Sequence, residues 1–540
     1  MGLVLGSAHY ILAAVFFALL VRAITGKKAI KRNGEPLRNP PNTLPLVGNG
    51  IQFLQPRWNL LSWFDRCQRQ FGYETLALTV PTLPPGVLIH DPRNLEYVFK
   101  HEGLFTKGNF VKTRSWDLFG NGIINADGDF WKLQRKAGLS FLNTANLRVL
   151  TDVALPQYLS ESVKELQSAQ PDQVIDLQDI FHEITTKLMG KMAYNMEMHF
   201  SSPFSSSFDH ASGCTAQRFQ NPLYPLTELF FGSKFRKSVS IVKKFGLEIV
   251  SRAMEDQKAL QEEDGSKSIS SSSSSSDKLD QISGSLIQSL LSAIPDSPST
   301  VADAALTYLS AGRDTTGQAL TWTFYLLLSH PTVLSKIRAE VDSVLLSHQQ
   351  QETNPPDSPL NPTLFTPLTA PYTLAVFYES LRLYPPIPFE IRQTQADCSL
   401  PDGTHLPRNS VLVWCLWAMQ RSKLTWGDDA DEFRPERFLD GTGTKVIHNR
   451  PAAEFPVFYG GARTCLGRKM AEGIAVQVIP TVAYLFDFDR AGWGERDERR
   501  SGSSLTLPME GGLPVFVRRR RRERIGGVGV VEKEGDELLN

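Results

Sequence analysis

The stretch Phe458-Tyr459-Gly460-Gly461-Ala462-Arg463-Thr464-Cys465-Leu466-Gly467, continuing as Arg468-Lys469-Met470-Ala471-Glu472, decides how the rest of the chain is read. Its last part reads as a helix start. Cys465 therefore sits just ahead of free backbone N–H groups and a positive dipole end, which favour thiolate over thiol. That is a metal-ligand setting. Gly460, Gly461 and Gly467 would let the backbone approach a flat cofactor, Phe458 would pack beside the sulfur, and Arg463 would neutralise a carboxylate. The five cysteines (Cys67, Cys214, Cys398, Cys415, Cys465) are odd in number and scattered, so neither a disulfide framework nor a paired zinc site is written here. A metal held by a lone cysteine must take its other ligands from a macrocycle.

Around this stretch the composition is that of an ordinary globular protein: 540 residues, 57 Lys+Arg against 57 Asp+Glu, 41% hydrophobic and 21% charged. Bulk disorder is excluded, and the balanced charge argues against nucleic acid as a partner. The absence of an internal repeat excludes solenoids and propellers, and one large single-core enzyme fits the length. From Leu3 to Val21 only Ser7 and His9 are clearly polar. As a helix this run would be about 28 Å long, close to the ~30 Å of a bilayer core. It lacks the leading basic residue and trailing small-x-small site of a cleaved signal, so residues 1–25 read as a membrane anchor. Arg22, Lys27, Lys28, Lys31 and Arg32 behind it keep the body cytoplasmic. No second such run appears, which excludes a multi-pass transporter. Residues 26–50 are basic and proline-rich and read as a hinge; 262–285, with the serine run Ser270 to Ser276, reads as a flexible loop. Thr300 to Ser329 reads as one long helix crossing the centre of a helical protein, ended by Pro331. After Val517, residues 518–540 read as a basic, frayed tail.

The pattern Phe-x-x-Gly-x-Arg-x-Cys-x-Gly, carried by Phe458, Gly461, Arg463, Cys465 and Gly467 within the stretch quoted above, resembles at every position the haem-thiolate signature of the cytochrome P450 superfamily. Other motifs of that family follow in chain order. Trp131 and Arg135, one helical turn apart, would point two donors at one haem propionate. Ala311-Gly312-Arg313-Asp314-Thr315-Thr316 resembles the oxygen-activation motif, with small residues leaving room for O2 and with Asp314 and Thr315 as proton relay. Glu379, Arg382 and Arg437 resemble the structural ion network beneath the haem. Arg392 falls where a further propionate partner is often placed, and Gln420 stands where a histidine is common before Arg421. The resemblance implies a mainly α fold with a small β region, a single haem domain over residues 51–517 behind an N-terminal transmembrane helix.

The resemblance also implies haem b with Cys465 as axial ligand, and Trp131, Arg135, Arg392, Phe458, Arg463 and Gly467 as cofactor-binding residues. Because no complete Gly-x-Gly-x-x-Gly fingerprint is present, electrons must come from outside. The implied partners are O2, a lipophilic substrate, an NADPH-dependent reductase and, as a second donor, cytochrome b5, on the cytoplasmic face of the endoplasmic reticulum. Pocket-lining segments are expected at Leu118 to Ile124, Leu309 to Thr315, Pro388 to Ile391 and Leu507 to Glu510. The stretches from Gly120 to Asp129 and from Arg218 to Tyr224 resemble the alkane and fatty-acid hydroxylase branch of fungi and plants, so a long aliphatic substrate is expected, with Glu390 counting against a nearby carboxylate. Terpenoid or polyketide tailoring is the rival substrate class. A haem-thiolate isomerase or dehydratase, or a non-catalytic haem protein, would be a different class without need of the acid-threonine pair.

Overall fold

A 32-residue helix, Pro298–Ser329, runs through the centre of the molecule, starting two residues before the Thr300 read from sequence. Pro298 presets the first helical φ. Ser297 stands at the N-cap, but its hydroxyl donates to Thr300 Oγ1 (2.8 Å) and accepts no backbone N–H there. The computed structural model describes residues 13–18, 30–80, 83–263, 285–349, 360–446, 450–494 and 497–520. The long helix is buried on most faces, as a helix packed on all sides must be. Its neighbours are the helices Leu177–Tyr194, Ser233–Glu263 and Pro371–Leu383.

Small residues set how closely Leu177–Tyr194 approaches it. A Cβ on Gly312 would lie 2.5 Å from Met189 Sδ, and one on Gly317 would lie 3.1 Å from the His182 ring. Met189 thus packs directly against Gly312. His182 is fully enclosed; burial and the neighbouring Arg313 charge hold its pKa down to about 3. His90, also enclosed, is lowered by burial to about 4. Both are neutral in the folded state at pH 7, while unfolded histidines titrate near about 6.5. Stability from each is thus complete above that value and is lost as pH falls toward the folded pKa. Between pH 7 and 5 each histidine should remove about 2 kcal/mol of stability. Denaturant titrations at both pH values should show this loss, and His182→Gln should flatten it by about half.

Among the described residues the β structure lies in three small sheets. The one that matters for the site has the order Leu76–Leu78, Gly86–Leu88, Val411–Cys415, Phe389–Thr394, Phe105–Thr106. Val411–Cys415 runs parallel to Gly86–Leu88 and antiparallel to Phe389–Thr394, pairing Trp414 with Glu390 and Leu412 with Arg392. Because side chains alternate, Glu390 and Arg392 share one face of this strand.

Three boundaries differ from the sequence reading. Lys31–Arg32 and Glu35–Pro36 form a hairpin that pairs with Thr404–Leu406, so this part of the 26–50 hinge is built into the body. Asn33 and Gly34, both at positive φ, make the tight turn. At the other end the strand Pro514–Arg519 carries pairing past Val517, with Arg518 opposite Asp487 and Arg518 Nη2 2.8 Å from Asp489 Oδ2. Acidic residues on the neighbouring strand thus hold the first arginine of the run, Arg518. Residues 262 and 263 finish the helix Ser233–Glu263, and Ser285 opens the helix Ser285–Ala293. The serine run itself and residues 521–540 lie outside the described residues. So does most of the Leu3 to Val21 segment: residues 13–18 are helical and exposed. No helix among the described residues is long and apolar enough to cross a membrane.

Candidate active site

Cys465 lies two residues before Gly467, the N-cap of the helix Arg468–Leu485. Its own N–H donates to Phe458 O (2.8 Å), which closes the loop and fixes the sulfur. Burial raises the thiol pKa, against the N–H groups of Gly467 and Arg468 and the charges of Arg135 and Arg468. The accessible face of the cysteine looks into a cavity of about 420 Å³ between this loop and the long helix, and it is the only cysteine among the residues lining it.

The glycines of the loop divide by role. A Cβ on Gly467 would meet nothing nearer than Cys465 Sγ at 3.9 Å, so this position opens onto the cavity. Gly460 and Gly461 do not: a Cβ on either would strike Phe99, its ring for Gly460 and its carbonyl oxygen for Gly461. Their smallness seats the helix Pro92–Lys100 against the loop, correcting the reading that they admit a cofactor. Phe458 borders the cavity and is wedged between the Tyr378 ring (centroids 6.2 Å apart) and the Arg468 guanidinium (5.2 Å).

Trp131 and Arg135 come from the helix Gly128–Phe141 and both line the cavity, the guanidinium 5.4 Å from the indole. Neither side chain has a hydrogen-bond partner among the described residues, so both donors are open to a ligand. Arg463 is used differently. Its Nε and Nη2 lie 2.9 Å from Glu102 and Asp127, its Nη1 donates to Ala126 O (3.1 Å), and the guanidinium stacks on Trp131 at 4.6 Å. It neutralises carboxylates, as read, but these belong to the protein and tie the cysteine loop to the Trp131 helix.

Arg392 reaches the cavity wall within a cluster that sequence did not reveal. Lys107 Nζ and Arg392 Nη1 each lie 3.0 Å from Glu390 Oε2, and Arg392 sits 4.8 Å from the Tyr459 ring. All four residues border the cavity. Burial would raise the Glu390 carboxyl, but Lys107 and Arg392 more than offset it and hold it below its ordinary range. Lys107 is 283 residues away in sequence, so only the sheet pairing of Phe105–Thr106 brings it here.

Thr315 lines the cavity, its hydroxyl donating to Ala311 O (2.6 Å). Asp314 does not line it. Its carboxylate accepts from Arg313 Nε (2.5 Å), and Arg313 also pairs with Asp209 on the helix Pro203–Gln220. Burial raises the Asp314 carboxyl, against the pull of Arg313. Asp314 meets the cavity only through Ser310, whose hydroxyl donates to its Oδ2 (3.3 Å) and which does line the cavity. Ser310, one turn before Asp314, is the residue the motif reading passed over.

The ion network is completely satisfied. Arg382 holds Glu379 through two bonds of 2.7 Å and spends its other N–H groups on the carbonyls of Gln420, Ala430 and Glu432. Arg437 Nε and the Arg434 N–H, each at 2.9 Å, add two donors to Glu379. Glu379 and Arg382 are fully buried. Gln420 is a backbone support: its carbonyl takes Arg382 and its side chain donates to Glu454 O (2.9 Å), away from the cavity.

Of the expected lining segments, Phe119, Ile123 and Ile124, Ser310 to Gly312 with Thr315, and Phe389 to Ile391 are present. The C-terminal one is shifted. Leu505 and Thr506 line the cavity, whereas Leu507 is pinned into the core by Gln318 and Trp322 of the long helix. These features fit haem: an accessible sulfur beside open backbone, unpaired cation and indole donors, and a cavity walled by small and apolar residues.

Known proteins agree. The family described as Cytochrome P450 matches residues 39–508. Cytochrome P450 CYP94D109 of Paris polyphylla is 30% identical over 466 residues, 82% of this chain and 88% of that protein. Cytochrome P450 monooxygenase cyp1 of Mycosarcoma maydis is 31% identical over 500 residues, 88% and 74% of the two chains. Noroxomaritidine synthase of Narcissus aff. pseudonarcissus MK-2014 is 30% identical over 440 residues, 80% and 82%. With a cavity-facing cysteine on a helix-capping loop, a buried Glu-Arg-Arg network and these likenesses, the chain belongs to the cytochrome P450 family, oxidoreductases that act as monooxygenases with haem on an axial cysteine thiolate.

Proposed function

We propose that this protein inserts one oxygen atom of O2 into a C–H bond of a long aliphatic substrate, a fatty acid or alkane. The observation that carries this reading is the cavity wall above Cys465, where Val111, Ile123, Ile124, Phe219, Ile391 and Leu505 surround the open space next to Thr315. The likeness of its Gly120 to Asp129 and Arg218 to Tyr224 stretches to alkane and fatty-acid hydroxylases points the same way. Haem bound on Cys465 would supply the electron transfer and O2 activation.

In this reading the protein's own groups act as follows. Cys465 Sγ is the metal ligand, kept a good donor by the N–H groups of Gly467 and Arg468. Arg135, Trp131 and Arg392 would hold the propionates. Thr315 Oγ1, bonded to Ala311 O, offers a hydroxyl to the cavity, and Asp314 holds a proton that passes there by way of Ser310 Oγ. The apolar wall excludes bulk water from the reacting carbon. Electrons come from NADPH through a reductase, with cytochrome b5 as a second donor, at the endoplasmic reticulum membrane. Support for a membrane comes from the apolar N-terminal run and from the helix Tyr224–Phe231, which buries none of its residues and leaves Leu229, Phe230 and Phe231 exposed at 68%, 74% and 83%.

Titrating the ferric protein with fatty acids, alkanes and polycyclic terpenoids tests the reading. A saturable Soret shift with aliphatic chains supports it; a shift with ring compounds alone replaces it by tailoring of a terpenoid or polyketide. Thr315→Ala should keep substrate binding while lowering product formed per NADPH by about 10²-fold or more, the lower range for a positioned proton-transfer group. Unchanged coupling would remove Thr315 from proton delivery.

A further inference from the structure

The donors of Arg313, the residue before Asp314 on the long helix, are divided between two acids. Its Nε donates to Asp314 Oδ1 (2.5 Å), whereas its Nη2 pairs with Asp209 Oδ1 on the helix Pro203–Gln220. Its Nη1 has no partner among the described residues. The guanidinium is enclosed, 5.6 Å from the Phe200 ring and 5.5 Å from the Phe208 ring, and Thr185 Oγ1 donates to the Arg313 carbonyl (3.0 Å). The two acids stand in different surroundings: the Asp314 side chain is 7% exposed and that of Asp209 48%.

Nε and Nη2 are parallel donors with which a guanidinium can grip one carboxylate through two bonds. With Nη2 taken by Asp209, Asp314 keeps one bond to the cation, and its Oδ2 is left to the Ser310 hydroxyl. One positive charge thus serves two negative ones, and each carboxylate opposes ionisation of the other. We propose that Asp209 is a positioning residue for proton delivery: by drawing Arg313 Nη2 to itself it denies Asp314 a full ion pair, so that Asp314 can hold a proton and pass it to Ser310. The proposal rests on the relay through Asp314 and Ser310 described above and names what keeps its acid loaded. In each passage Asp314 gives its proton to Ser310 Oγ, the serine gives its own to the cavity, and the carboxylate left behind regains a proton from solvent. Burial raises the Asp314 carboxyl, the Arg313 charge lowers it and the Asp209 charge raises it again. From the helix Leu177–Tyr194, His182 faces Arg313 as a neutral ring, and Asp179 interacts with Asp209.

Infrared spectra of the ferric holoprotein against pH test this. The carbonyl band of a protonated carboxyl, assigned to Asp314 by its loss in Asp314→Asn, gives the pH at which that proton leaves. Asp209→Asn removes a negative charge and frees Arg313 Nη2 for a second bond to Asp314, so the band should vanish about one pH unit or more lower than in the wild type. Asp209→Glu keeps the charge and should restore the wild-type midpoint; Asp209→Ser stands in for the asparagine variant if that one fails to take up haem. Product formed per NADPH, with palmitic acid as probe, should fall on the alkaline side where the band is lost, and this limb should move with the band. No such band in the wild type, an unmoved band in the charge-removing variant, or an equal shift in Asp209→Glu overturns the inference while the relay stands. A band that moves without the limb removes Asp314 from proton delivery, so that the relay fails and not the hold of Asp209 on that acid.

Discussion

Replacing Glu379 by Gln should cost about 3–5 kcal/mol of stability and most of the bound haem. Glu379 is fully buried and accepts from Arg382, Arg437 and the Arg434 backbone, so its negative charge is the counter-ion for two guanidinium groups in a dry site. An amide of the same shape keeps the packing but turns an N–H toward those donors, leaving Arg382 without a counter-ion and Arg437 with Asp429 alone. The segment they fasten, Ala430 to Phe438, would lose its tie to the helix Pro371–Leu383, on whose other side the cysteine loop rests through Tyr378 and Phe458. Haem content and thermal unfolding of the purified variant measure this. A loss of only a few tenths of a kcal/mol, the value of an exposed i,i+3 pair, would mean that the network is not the support inferred here.

Cys465→Ser should abolish the thiolate-type Soret band of the ferrous carbon monoxide complex and reduce monooxygenase turnover to background. Serine preserves the loop, because the bond from the residue 465 N–H to Phe458 O and the open space beside Gly467 do not involve the sulfur. What changes is the donor. A hydroxyl at this position remains protonated at neutral pH, whereas a thiol two residues before a helix N-cap, near Arg135 and Arg468, can give up its proton to a metal. Folding should therefore persist, measured by circular dichroism, while the spectrum and turnover do not. Full activity in the variant would refute the ligand assignment.

Local patterns were readable wherever neighbours in sequence are neighbours in space. Glu379 and Arg382 stand three apart on one helix, Trp131 and Arg135 four apart on another, and Cys465 stands two residues before the N-cap of a third, so spacing alone predicted each relation. Readings that needed the direction of a side chain fared differently. Asp314 adjoins Thr315 in sequence, yet successive helical residues point about 100° apart, and Arg313 with Asp209 draws the acid away from the cavity. Gly460 and Gly461 were read with Gly467 as one set, but Phe99, a residue of a distant helix, claims the first two. The arginine run after Val517 looked like tail because its acidic partner strand, Phe486–Arg490, lies well upstream.

The sequence by itself determined the family, the single-cysteine metal chemistry, the long central helix and the Glu379–Arg382 pair, because each is written in one contiguous run of chain. Only the tertiary structure decided which residues face the cavity, that Lys107 and Arg392 neutralise Glu390, and that Ser310 links Asp314 to the site. Those relations join segments up to hundreds of residues apart. They follow from how helices rotate and strands register once the whole core is packed, which local periodicity does not specify.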